Sequence, residues 1–108
     1  MYEYKDLYTI DFTNVRYYLE MHRVIKEAMD WPDYYGENWD AFWDCLRYMT
    51  GDPIHIEIIG LEVIDRKFPG ESEIMIGIFK EFKHSDHDKY CHEINIEIVS
   101  GDTRVSLS

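Results

Sequence analysis

Two carboxylates four residues apart, Asp40 and Asp44, stand among aromatic residues in Pro32-Asp33-Tyr34-Tyr35-Gly36-Glu37-Asn38-Trp39-Asp40-Ala41-Phe42-Trp43-Asp44-Cys45-Leu46. At 100° per residue on a helix they lie within about 40° of each other, facing away from an apolar stripe of Phe42, Cys45, Leu46 and Met49. Such a pair can do two kinds of chemistry. It can act as acid and base on a glycosidic bond, or it can replace phosphate charge in a cationic partner. Like charges at i and i+4 cost a few tenths of a kcal/mol and Asp is a weak helix former, so local stability does not account for them. Asp40 has a helical use, because an acid in the first turn interacts well with the helix N-terminus. Asp44 lies beyond that turn, and its local alternative is an ion pair or hydrogen bond with Arg47 or Tyr48. Trp39 and Trp43 fall on the flanks, with Tyr34 and Tyr35 in the preceding loop, a composition shared by interface hot spots and by the edges of cores. Gly36 suits positive φ or the close approach of a partner backbone.

These residues need a frame. Alternation at Tyr8, Ile10 and Phe12, at Ile54, Ile56 and Ile58, and at Ile94, Ile96 and Ile98 predicts three strands with one buried face each. A helical pattern of Val15, Tyr18, Leu19, His22, Ile25 and Met29 follows the first, with Thr13 and Asn14 as candidate caps. Asn38 is the candidate N-cap of the acidic helix, which Gly51-Asp52-Pro53 stops. A short helix is expected near 61–67, then a break at Pro69-Gly70 and a helix near 72–83. Residues 74–79 also read as a buried strand, but length and the spacing of Met75, Ile78, Phe79 and Phe82 favour helix despite Gly77. Helical crossovers permit a parallel sheet of three strands with the helices packed on one face, a two-layer α/β unit spanning 1–108 as a single domain. Parallel sheets are normally covered on both faces, so the polar face is unusual and pattern alone leaves an antiparallel pair open. Residues 101–108 read as a tail or an edge hairpin.

Residues 32–46 resemble the signature loop and helix of the barstar family of ribonuclease inhibitors, with Pro-x-Tyr-Tyr-Gly-Glu-Asn-x-Asp-Ala-x-Trp-Asp-Cys-Leu in register. The likeness extends through Met21-His22, through Phe79-Lys80-Glu81 and into the last Ile-rich strand, over most of 8–99. It implies a barstar-like fold and an inhibitor that occludes the active site of a basic, guanyl-preferring microbial ribonuclease, one to one, and is a monomer when free. An immunity protein against another class of toxin nuclease, or a binding module for an unrelated basic protein, is the alternative. By the same resemblance Asp44 reaches into the phosphate-binding site, Asp40 and Glu81 flank it, and Tyr34, Gly36, Asn38 and Trp43 are contact positions. It also implies a cis Asp52–Pro53 peptide, where the general preference is trans. The chain departs from the family example at Tyr48-Met49, where that example has Gly-Trp, and at Arg47, which sets a cation beside the acidic face.

The formal net charge of -11, from 22 Asp and Glu against 11 Lys and Arg, argues against direct nucleic-acid or anionic-membrane binding and for a cationic partner. No leader or spanning segment is seen and the two cysteines, Cys45 and Cys91, fit reduced thiols, so a cytoplasmic location is expected. Cys45 sits on the apolar face and reads as core. His84, His87, Asp88, Cys91 and His92 are zinc-type ligands, but their spacing matches no standard finger and reads as a polar connection; no metal or cofactor is expected. Nothing in the sequence supplies the cleft and divergent carboxyl pKa values a catalytic pair needs, so no enzymatic activity is expected.

Overall fold

A computed structural model of the chain describes residues 7–32, 35–47, 54–83 and 94–107, with Arg47 described by its backbone alone. The elements are β1 (Tyr8–Asp11), α1 (Tyr18–Met29), α2 (Trp39–Arg47), β2 (Ile54–Ile59), α3 (Leu61–Lys67), α4 (Glu71–Lys83), β3 (Ile94–Ser100) and β4 (Thr103–Ser106). The sheet order is β1-β2-β3-β4, and each parallel connection passes through two helices. Alternation turns one row of side chains inward: Ile10 lies opposite Ile58, Ile54 opposite Ile94 and Ile56 opposite Ile96, and all but Ile98 among the alternating isoleucines are buried. They join Met21, Ile25 and Met29 of α1, Phe42 and Leu46 of α2, Ile64 of α3 and Met75, Phe79 and Phe82 of α4 in one cluster. The helices therefore cover one face of the sheet.

The other face stays open because it is polar. Arg104 donates to Glu57 at 2.8 Å and lies 3.6 Å from Glu97; His55 Nε2 is 3.0 Å from Glu97, and Thr9 donates to Glu57. Alternating charge and hydroxyl groups can be hydrated on a face where isoleucines could not. Arg104 holds the Glu57 carboxyl below its ordinary range, chiefly through that hydrogen bond.

The expected three-stranded parallel sheet is a mixed sheet of four, because β4 pairs antiparallel with β3. Of the two readings of the C-terminal stretch, edge hairpin is the one observed. Gly101 takes φ 60 while Asp102 stays at negative φ, the pattern of a two-residue type II′ turn, and Gly-Asp between apolar alternations is its local signal. The return is anchored beyond the strand. Leu107 is buried, its N–H donates to the Ile96 carbonyl at 2.8 Å, and its own carbonyl accepts from Lys83 Nζ at 2.8 Å.

α1 starts later than its periodicity implied. The Asp11 carboxylate accepts from the Thr13 N–H and hydroxyl, and the Val15 N–H donates to the Phe12 carbonyl, so Thr13 and Asn14 form a turn and cap nothing. Val15 is core from within this loop, and Tyr17 takes the N-cap position without a side-chain cap bond. Glu20 reaches back instead to the Arg16 N–H at 2.7 Å and its guanidinium at 3.0 Å. The buried face is Met21, His22, Ile25 and Met29, so Leu19, expected in the stripe, is 42% exposed. α3 and α4 form as expected. Gly77 faces open space, where the missing side chain removes no packing, and Ser72 donates to Asp65 to tie the two helices.

Candidate functional site

α2 is held rigidly at its start. Asn38 accepts from the Ala41 N–H through Oδ1 at 2.8 Å, and its own carbonyl accepts the first helical bond from Phe42 at 3.0 Å, which makes it the expected N-cap. Its amide donates back to the Gly36 carbonyl at 3.0 Å, closing the loop onto the helix. The left-handed conformation anticipated at Gly36 falls on Glu37, at φ 55. Glycine serves Gly36 differently: a Cβ there would stand 3.2 Å from the Asn38 amide and 3.4 Å from the Ala41 methyl, crowding the cap. Glu37 is held by Arg23 at 3.5 Å, and Arg23 also donates to the Tyr17 hydroxyl.

The loop rests on a buried polar pedestal. His22 is fully buried, with Nδ1 2.7 Å from the Tyr35 hydroxyl, Nε2 3.4 Å from that of Tyr18, and its ring 4.6 Å from Trp39. Tyr35 also lies 3.5 Å from the Asn38 carbonyl and is 4% exposed, so of the two readings its composition allowed, hot spot or core edge, it is a support packed under the loop. Trp39 donates its indole N–H to Glu71 at 3.0 Å and packs against Phe42, which settles it as an anchor between α1, α2 and α4. Burial pushes the His22 imidazolium pKa down, against a smaller opposing pull from Glu71 and Glu37, so the ring is neutral near pH 7. Burial likewise drives the Tyr35 phenol far above its ordinary range and raises Tyr18, whose bond to Glu71 adds to the effect. This pedestal was not legible in the sequence; only the aromatic spacing Trp31, Tyr35, Trp39 hinted at it.

Phe42, Cys45 and Leu46 turn inward, and Phe42 meets Phe79 edge-on at 5.2 Å. Burial, then the neighbouring Asp44 charge, raises the Cys45 thiol pKa, in keeping with a core cysteine. Trp43 is half-buried against Phe82 at 6.2 Å, so it packs the core edge and still offers surface. Because Phe42 meets Phe79 and Trp43 meets Phe82, α2 and α4 run side by side, and Glu81 is exposed on α4 next to the Trp43 contact.

Asp40 and Asp44 are both exposed on the outer side of α2. Among the described residues, neither of them nor Glu81 has a hydrogen bond or ion pair, although other surface acids do. Three exposed carboxylates thus stand beside a half-buried Trp43 on two helices packed into the core. Tyr34, the Arg47 side chain, Tyr48, Asp52–Pro53 and the His84–His92 cluster lie outside the described residues. An open groove of about 570 Å³ between the start of α1 and α3 contains no residue of α2.

The family model Barstar (barnase inhibitor) matches residues 6–97, most of the chain. The chain belongs to the barstar family. It is also 28% identical over 80 residues, covering 74% of this chain and 85% of the relative, to YrdF of Bacillus subtilis (strain 168), described as a "Putative ribonuclease inhibitor". The barstar match takes in β1 through the first half of β3 and stops before β4, so the fourth strand lies outside the family region. No helix among the described residues is long and apolar enough to cross a membrane.

Proposed function

We propose that this protein inhibits a small basic ribonuclease of the guanyl-preferring microbial type, in a one-to-one complex, by seating α2 and the loop before it in the active site. The observation that carries the reading is the set of exposed carboxylates, Asp40, Asp44 and Glu81, unpaired among the described residues and mounted on packed helices, α2 capped by Asn38, of a barstar-family chain. A ribonuclease cleft is built from cations that hold phosphate. Preorganised carboxylates can meet those cations in desolvated, charge-assisted hydrogen bonds, with no ion pair to another described residue to break first. Asp44, on the second turn, reaches the phosphate site; Asp40 and Glu81 flank it. Gly36, Asn38 and Trp43 supply close backbone approach and apolar contact, with Tyr34 from the same loop. Inhibition is occlusion, so the protein has no turnover of its own, needs no cofactor, and acts as a single domain in the cytoplasm.

The test is cleavage of a fluorogenic RNA by barnase, the ribonuclease in the family's description, with increasing amounts of the protein. Loss of activity with an endpoint at one equivalent, abolished by Asp44→Ala, is expected. Full barnase activity at a tenfold excess of the unaltered protein overturns the proposal.

A further inference from the structure

A stable protein–protein interface takes roughly 20–30 residues a side, about 800 Å² per partner, more than the few residues of the acidic site can supply alone. The start of α1 is the direction in which it extends. Among the described residues six large hydrophobics are exposed, and three of them are consecutive: Tyr17 (45%), Tyr18 (38%) and Leu19 (42%). This turn adjoins the site through Arg23, which donates to the Tyr17 hydroxyl at 3.2 Å and pairs with Glu37 of the loop at 3.5 Å.

Tyr17 is a poor choice for its own helix. It occupies the N-cap with no side-chain cap bond, where Ser, Thr, Asp or Asn would satisfy a free N–H. Its ring is nonetheless held, with the Arg16 guanidinium 5.8 Å from the centroid and Arg23 on the hydroxyl. The hydroxyl accepts from Arg23, and among the described residues nothing accepts its proton. A fixed, exposed tyrosine with a free donor, beside an exposed leucine, has the form of an interface anchor whose rotamer is paid for in advance. Arg16 and Arg23 are neutralised by Glu20 and Glu37, so the patch as a whole carries no excess charge.

We infer that Tyr17 and Leu19 form a second contact patch of the inhibitory surface, taking an uncharged apolar rim of the ribonuclease that offers a carbonyl oxygen to the Tyr17 hydroxyl. The inference rests on the inhibitor reading and adds to it residues outside the acidic helix. Tyr18 is a support rather than a contact, since its hydroxyl lies 3.4 Å from His22 Nε2 and its ring packs edge-on against Phe68.

The test is the binding kinetics of immobilised barnase with Tyr17→Ser, the double variant Tyr17→Ser/Leu19→Ser, and Asp44→Ala as reference. The double variant is expected to raise Kd at least tenfold, almost wholly through faster dissociation, with the salt dependence of association unchanged. Tyr17→Ser supplies a capping hydroxyl, so its melting temperature should hold or rise while its dissociation quickens, a combination that a structural role for Tyr17 would not produce. A Kd within twofold of the unaltered protein for both variants, with Asp44→Ala still losing binding, overturns this patch and leaves the acidic site standing. Failure of the unaltered protein to bind overturns both.

Discussion

Replacing Asp44 with Ala should separate binding from folding. The carboxylate is exposed, one turn after Asp40, and has no partner among the described residues. Its removal relieves an i,i+4 repulsion of roughly 0.2–0.5 kcal/mol and replaces a weak helix former with the best one, for a further gain of about 0.5 kcal/mol. No helix-dipole interaction is lost, because Asp44 lies beyond the first turn of α2. The free protein should therefore gain about 0.7–1 kcal/mol, which for about 100 residues is roughly 3–8 °C in melting temperature. In the complex the same truncation leaves buried cations unpaired, typically at about 2–5 kcal/mol, a range set in part by inhibitors of this family. At about 1.4 kcal/mol per decade that is roughly 30- to 4,000-fold in Kd. Calorimetric melting of the free variant and titration into the nuclease measure the two sides. A variant that melts several degrees earlier and binds unchanged would show that Asp44 is structural and that α2 does not plug the cleft.

Asn38→Ala removes the cap bond to Ala41 and should cost about 0.5–2 kcal/mol in urea unfolding, with a matching loss of affinity as the loop loosens; an unchanged midpoint refutes the role given to the cap. Because burial depresses the His22 pKa below its unfolded value of about 6.5, the folded state resists a proton the unfolded chain accepts. The associated stability is complete above that value and declines as pH falls through 6.5 toward the folded pKa. His22→Gln should flatten the dependence between pH 7 and 5, measured by urea midpoints, and an unaltered slope would place the titration elsewhere. Leu107→Ala, opening space beside Ile96, should cost about 2 kcal/mol at this core margin, and a melting temperature unchanged within 1 °C would show that β4 is not anchored there. Association with the nuclease, followed by stopped flow, should slow steeply between 50 and 500 mM salt, since a chain of charge -11 is steered over distances that salt screens; a flat profile points to an apolar encounter.

Much of the frame is written locally. Period-two isoleucines specify three inward rows, and Asn38 three residues before Ala41 specifies the start of α2. The outer placement of Asp40 and Asp44 follows from helical geometry once Phe42, Cys45 and Leu46 turn inward. The start of α1 was misplaced because apolar spacing cannot distinguish Val15 buried from a loop from Val15 on a helix; the Asp11 carboxylate captured the Thr13 N–H and decided the matter. Glu81 became a candidate through family resemblance alone, as nothing near it in the chain marks it.

Sequence by itself determined most of the elements, though neither the start of α1 nor the fourth strand, together with the acidic face and the family, since each depends on residues within a few turns of one another or on a pattern in register. Tertiary structure decided what those residues touch. Tyr35 and Trp39 look like loop and interface aromatics until His22 and Glu71, 13 and 32 residues away, claim their polar atoms. The mixed sheet likewise required Leu107 to reach the core beside Ile96. Hydrogen bonds and burial are made between groups that folding brings together, and distance along the chain carries no record of them.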